Sequence, residues 1–127
     1  MSIKFKVVTK RNARNLEAPH KYYAATISNG KTELDDLAKY ATETSSVSKA
    51  DVLAVLESVF TKIAIDVADG KNVYVGEYFS VRASISSTGS ENIEDVNAKN
   101  ITKVRTIFKP GKLIKNALKL ASFKKVI

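Results

Sequence analysis

The stretch that most limits how this chain can fold is residues 48–70. Within it Val52, Leu53, Leu56, Val59, Phe60, Ile63, Ala64 and Val67 recur at helical spacing over about five turns. Ser48 is the N-cap candidate with Asp51 three residues on, and Gly70 supplies the C-terminal stop. The apolar face of such a helix is too wide to be covered by one further helix and one sheet. An internally satisfied core or a second subunit must cover it, and the width favours a second subunit.

A shorter helix precedes it. Leu34, Leu37, Ala38 and Ala41 fall at i, i+3, i+4 and i+7, and Glu33, Asp35 and Asp36 place negative charge in its first turn. Thr32 and Asp35 stand in a capping-box-like spacing, so the helix is expected to begin near Thr32. Upstream, Ile3, Phe5 and Val7 alternate with Lys4 and Lys6, the period-two pattern of a strand with one apolar face. Residues 22–27 read as a second strand ended by Ser28-Asn29-Gly30, a turn signal. The two strands can pair, although the polar connection between them is long for a hairpin.

Downstream of Gly70 the period returns to two. Val73 and Val75 form a short strand, Gly76-Glu77 a turn, and residues 79–86 a longer strand with Phe79, Val81, Ala83 and Ile85 on one face and Ser80, Arg82, Ser84 and Ser86 on the other. The segment at 87–90 breaks the strand. In the polar, acidic residues 91–97, Ile93 and Val96 are spaced for a single helical turn, not a strand. Residues 101–108 alternate again, and antiparallel pairing of 82–87 with 101–108 would close a sheet. Pro110-Gly111 then leads into a short amphipathic helix from about Lys112. The predicted order is strand, strand, helix, helix, strand, strand, excursion, strand, helix, an α+β chain.

Charge separates the segments more sharply than hydropathy does. Residues 1–31 carry 7 Lys or Arg against 1 Asp or Glu, residues 32–70 carry 3 against 8, residues 71–98 carry 2 against 4, and residues 99–127 carry 9 against 0. The C-terminal run includes Lys99, Lys103, Arg105, Lys109, Lys112, Lys115 and Lys119, and its charges lie on predicted regular structure, so a polyanion is the partner to expect. Lys10, Arg11, Arg14 and Lys21 could also touch phosphate, with a solvated loop as the simpler explanation. Tyr22, Tyr23, Tyr74 and Tyr78 could stack on bases, although strand aromatics more often pack.

The same composition closes other classes. With no Cys and a single His, disulfides, thiolate metal sites and His clusters are excluded. Asp35 and Asp36 sit where helix capping explains them, and no Gly-rich phosphate loop or nucleophile motif is present, so no catalytic residue, metal or cofactor is expected. No apolar run approaches the roughly 20 residues of a membrane span and no signal peptide is visible, so the expected location is the cytoplasm, with neither a membrane nor a small-molecule substrate as partner. At 127 residues a single domain is expected.

The order of two helices, a three-stranded sheet with a long excursion and a short basic helix resembles the HU and IHF family of bacterial histone-like proteins. The resemblance rests on residues 31–37 opening the first helix, on Ser48-Lys49 with Leu56-Glu57-Ser58 in the second, on Gly70 before residues 72–75, and on Phe108 with Gly111-Lys112 and Leu118 at the end. The extra N-terminal strands and the ending NITKVRTIFKPGKLIKNAL are most similar to an HU-like variant seen in Bacteroidetes. The resemblance divides the single domain into a β extension at 1–30 and an HU-like core at 31–127. It implies an intertwined homodimer built on the second helices, associated with the nucleoid, whose sheet and arms hold double-stranded DNA.

By position, the resemblance assigns phosphate contacts to Gly111, Lys112 and Lys115 at the last helix, and to Arg82, Lys103 and Arg105 on the sheet. Family arms end in an Arg-Asn-Pro motif whose proline wedges between base pairs. Here the prolines are Pro19 and Pro110, the expected tip carries Glu91, Glu94 and Asp95, and Glu77-Tyr78-Phe79-Ser80-Val81 replaces the family's Gly-Phe-Gly-x-Phe. The expectation is therefore a modified arm and sequence-independent binding without proline intercalation. A dimeric scaffold that has lost arm-mediated DNA binding and docks a protein or an acidic glycan is the alternative.

Overall fold

A computed structural model describes residues 1–10, 13–15 and 17–126; Arg11, one of the phosphate-contact candidates, lies outside the described residues. These residues form two compact units, Leu34–Asn116 and Met1–Glu33 with Ala117–Ile127. The elements are α+β, with three α-helices and two three-stranded sheets among the described residues.

In the unit Leu34–Asn116, helix α1 (Leu34–Thr44) packs on helix α2 (Lys49–Ala68). Both ends of α2 are closed by the residues that announced them. Ser48 is extended at ψ 154° and its hydroxyl accepts the Asp51 N–H at 3.2 Å, while its carbonyl accepts the Val52 N–H at 3.0 Å. At the other end Gly70 takes φ +82°, donating to Val67 O at 3.0 Å as Lys71 N–H donates to Asp66 O at 3.0 Å. That pair of bonds is a Schellman closure, which needs the left-handed conformation glycine adopts freely. Helix α1 differs from expectation by two residues. It opens at Leu34, and the Asp35 carboxylate is held by Lys49 Nζ at 2.8 Å, so Thr32 lies outside the cap position.

The sheet of this unit runs β3 (Val73–Val75), β4 (Phe79–Ser87), β5 (Ile101–Pro110), all antiparallel. Gly76 takes φ +52° in the turn joining β3 to β4, and Tyr78 N–H closes it onto Val75 O at 2.9 Å. Helix α2 packs on β3 and β4. Phe79, Val81, Ala83 and Ile85 point to the same side of the sheet as Pro110, Phe108, Thr106 and Val104, their direct partners across β5. The Phe79 and Phe108 rings lie 5.4 Å apart on that side. Between it and α2 lies an apolar cavity of about 550 Å³, lined by Phe60, Ile63, Ala64 and Val67 from the helix and by Val81, Ala83, Ile85 and Val104 from the sheet. Among the described residues only Ala38 is buried, and Phe60 and Val104 remain 44% and 70% exposed. The wide apolar face read from the sequence is therefore left open by this unit's own elements.

The segment joining β4 to β5 folds into two 3-10 turns, Ile93–Asp95 and Ala98–Asn100. The expected single turn at Ile93 is present. Asn100 ties the segment together: its Nδ2 donates to Ser90 Oγ at 3.0 Å and to Thr88 O at 3.3 Å, its Oδ1 accepts the Asn97 N–H at 3.0 Å, and its backbone carbonyl accepts the Thr88 N–H at 2.8 Å.

In the unit formed by the chain ends, strand β1 (Ser2–Lys10) pairs antiparallel with β2 (Lys21–Thr26) and parallel with β6 (Ser122–Lys125). The pairing of the first two strands matches expectation; the last strand does not. Four residues, Ser-Phe-Lys-Lys, carry too little alternation to announce a strand, and its partner lies at the opposite end of the chain. Ser122 N–H and Oγ both donate to Met1 O, at 3.1 and 3.2 Å, and Val126 N–H donates to Phe5 O at 2.8 Å. Helix α3 (Lys112–Leu120) carries the chain from the sheet of the first unit toward β6.

Candidate nucleic-acid interface

The β4–β5 register determines which cations share a surface. Ser80 faces Lys109, Arg82 faces Ile107, Ser84 faces Arg105 and Ser86 faces Lys103, and on the β3 side Tyr74 faces Ser80. Direct partners in an antiparallel pair project to the same side. Arg82, Lys103, Arg105 and Lys109 therefore project from the side opposite Phe79 and Val81, with Tyr74 at its β3 edge, although Arg105 also contributes to the lining of the apolar cavity. No Asp or Glu occurs in these three strands, so the surface has one sign of charge. The three cations on β5 are exposed and Arg82 is half-buried.

Between β3, β4 and β5 this surface is indented by a pocket of about 300 Å³, lined by Asn72, Tyr74, Ser80, Arg82, Ile107 and Lys109. A cation pair, an amide and a 75% exposed phenol ring meet there. That set can hold a phosphate oxygen and cover the adjoining sugar or base. Sequence reasoning missed Asn72; its only signal was its place before the strand that carries Tyr74.

Gly111 has a packing role visible in the backbone. A Cβ there would collide with the Glu77 carbonyl and lie 2.8 Å from the Tyr78 carbonyl carbon, because Gly111 N–H donates to Tyr78 O at 2.8 Å and Leu113 N–H reaches Glu77 O at 3.5 Å. Two N–H groups at the start of α3 are thus turned toward the β3–β4 turn. What the helix offers an anion is mainly its side chains. Lys112, Lys115 and Lys119 fall at i, i+3 and i+7 on one face, opposite Leu113, Ile114, Ala117 and Leu118. Lys112 Nζ stands 3.9 Å from Glu77 Oε1 with both groups exposed, a pair that water and salt screen heavily.

Lys99 is apart from these groups, in the second 3-10 turn of the β4–β5 connection, where its N–H donates to Asn97 Oδ1 at 2.9 Å. That connection also carries the exposed Glu91, Glu94 and Asp95. The described residues thus place four of the nine sequence candidates on one sheet face, four at the start and along the exposed face of α3, and one in the acidic turn. None of these cations is buried, so each is accessible to a ligand from solvent.

With this geometry established, three comparisons bear on it. The family model describing an HU domain fused to wHTH, Ig or glycine-rich motifs matches residues 1–125. Among solved structures, the chain is similar to a crystal structure of a candidate bacterial DNA-binding protein from Bacteroides vulgatus, with a TM-score of 0.71 at 11% identity. The match covers 98% of this chain and 48% of that one, so the chain spans about half the length of its structural counterpart. No curated protein matches.

Proposed function

The chain belongs to the family of HU domains fused to wHTH, Ig or glycine-rich motifs, and from that premise we propose that it is a non-enzymatic DNA-binding protein that holds duplex DNA by its phosphates, largely without regard to sequence. The observation that carries the proposal is the register of β4 and β5. It sets Arg82, Lys103, Arg105 and Lys109 on one side of a sheet that contains no acidic residue. Lys112, Lys115 and Lys119 on α3 supply further phosphate contacts, Lys99 a more distant one, and Gly111 lets the helix start close against the β3–β4 turn. Phosphate contacts of this kind fix position and carry no sequence information. The solved relative from Bacteroides vulgatus is itself described as a candidate DNA-binding protein, which supports the reading.

The arm works differently from a proline wedge. The β4–β5 connection contains no proline, is acidic, and is tied by Asn100 into a compact turn, so it supports binding without intercalation. The working form is a homodimer. The cavity between α2 and the sheet is apolar and open, and a second copy presenting the same face is the occupant that a twofold arrangement supplies. In this reading residues 1–127 form a single HU-like domain, like the Bacteroidetes variant with extra N-terminal strands, and the protein sits with the nucleoid. Among the described residues no helix is long and apolar enough to cross a membrane.

The test is a fluorescence-anisotropy titration of a mixed-sequence duplex over a salt series. Binding should weaken linearly in log K against log salt, by about 0.9 per phosphate neutralised. No binding at low salt, or binding indifferent to salt, would leave the scaffold reading in its place.

A further inference from the structure

The pairing of β6 with β1 creates a second basic surface that no single segment of sequence reveals. In the antiparallel register Lys6 faces Ala25, Val8 faces Tyr23 and Lys10 faces Lys21; in the parallel register Ser2 faces Ser122 and Lys4 faces Lys124. All of these project from one side of the sheet. Five lysines, 4, 6, 10, 21 and 124, therefore share that face, and none of the three strands contains an Asp or Glu. Ile3, Phe5, Val7, Tyr22 and Phe123 occupy the other face, together with one lysine, Lys125, opposite Phe5.

A solvated outer face would ordinarily mix charges of both signs. Here Lys10 and Lys21 are direct cross-strand partners, as are Lys4 and Lys124, and like charges directly opposite one another destabilise a sheet. Lys10 is partly accommodated by Tyr23, whose ring centroid lies 5.2 Å from its Nζ. Nothing in the strands themselves offsets the remaining repulsion, whereas an array of phosphates would. A lipid surface is the poorer match: membrane-bound faces interleave cations with many large apolar side chains, whereas five lysines here share their face with Val8 and the Tyr23 ring alone among larger side chains, and Ile3, Phe5 and Phe123 point to the opposite side. Duplex DNA carries one negative charge per about 1.7 Å of its axis and fits a face on which lysines outnumber the apolar groups.

We propose that the lysine face of the β2–β1–β6 sheet is a second site for the phosphate backbone of duplex DNA, beyond the face formed by β3, β4 and β5. This rests on the reading that the chain binds DNA. The site needs both chain ends at once, since β6 brings Lys124 beside Lys4.

The experiment compares the full chain with a Lys6→Gln/Lys21→Gln/Lys124→Gln variant in duplex titrations over a salt series, with thermal melting alongside. The variant's slope of log K against log salt should be shallower by about 2.7, from three phosphates at about 0.9 each, with at least a tenfold loss of affinity at low salt. A Lys→Arg variant at the same three positions should keep the wild-type slope. Melting should be unchanged or higher in the Gln variant, because it breaks both like-charge pairs. Identical slopes for wild type and Gln variant overturn this inference and leave the first face standing. Unchanged duplex binding with lost binding to phosphatidylglycerol vesicles overturns it in favour of a membrane. If the wild type itself does not bind duplex, both readings fall together.

Discussion

Replacing Phe60 by Glu should break the proposed homodimer into monomers. Phe60 lines the cavity between α2 and the sheet and is 44% exposed in the single chain. Complete burial of a Phe side chain is worth about 1.5–3 kcal/mol, so covering the exposed part contributes about 1 kcal/mol per chain. Twofold symmetry doubles every term. The larger effect is the carboxylate, since an unpaired ion in such a site costs several kcal/mol. Two copies bring the total to about 8 kcal/mol, or between five and six decades in dissociation constant. Sedimentation equilibrium reads the result directly. The wild type should be a dimer with a melting temperature that falls on dilution, as expected when folding and association are linked. The variant should sediment as a monomer with much reduced helical signal. A wild type that stays monomeric at all concentrations, or a variant as dimeric as its parent, would refute the assignment of this cavity to a second copy.

Three further substitutions probe the scaffold. Gly111→Ala drives a Cβ into the Glu77 carbonyl and should lower stability by about 1–3 kcal/mol, seen in denaturant melts, because the neighbour in the way is backbone and not a movable side chain. Ser48→Ala removes the acceptor for Asp51 N–H and should cost about 1 kcal/mol in the same assay. Asn100→Ala removes the side chain that joins Ser90, Thr88 and Asn97, so amide hydrogen exchange should quicken at Asn97 while the β4–β5 ladder stays protected.

How much of this was legible in sequence depended on whether the signal was local. Ser48 and Gly70 bounded α2 correctly because capping and left-handed closure are decided within four residues. The side of the sheet that carries Arg82 followed from period-two alternation, and the pairing of 82–87 with 101–108 from adjacency along the chain. The convergence of Arg82 with Lys103, Arg105 and Lys109 needed one more fact, the register. A one-residue slip would have sent the β5 cations to the opposite face. The β6 strand was illegible for another reason: its alternation is too short, and its partner is over a hundred residues away, so Lys124 counted only toward the basic run of residues 99–127, whereas the pairing makes it a member of a lysine face. The phosphate contact expected of Gly111 came by position from the family resemblance. Its close approach to Glu77 depends on where the β3–β4 turn lies in space, which no pattern around Gly111 encodes.

The most direct test of the central claim, that the cations sharing the β4–β5 face hold DNA, is the salt dependence of duplex binding by an Arg82→Gln/Lys103→Gln/Arg105→Gln variant. The expected result is a slope of log K against log salt shallower than wild type by about 2.7, at unchanged dimer content and melting. A slope equal to that of the wild type would contradict the claim, because it would mean that the phosphates never met this face.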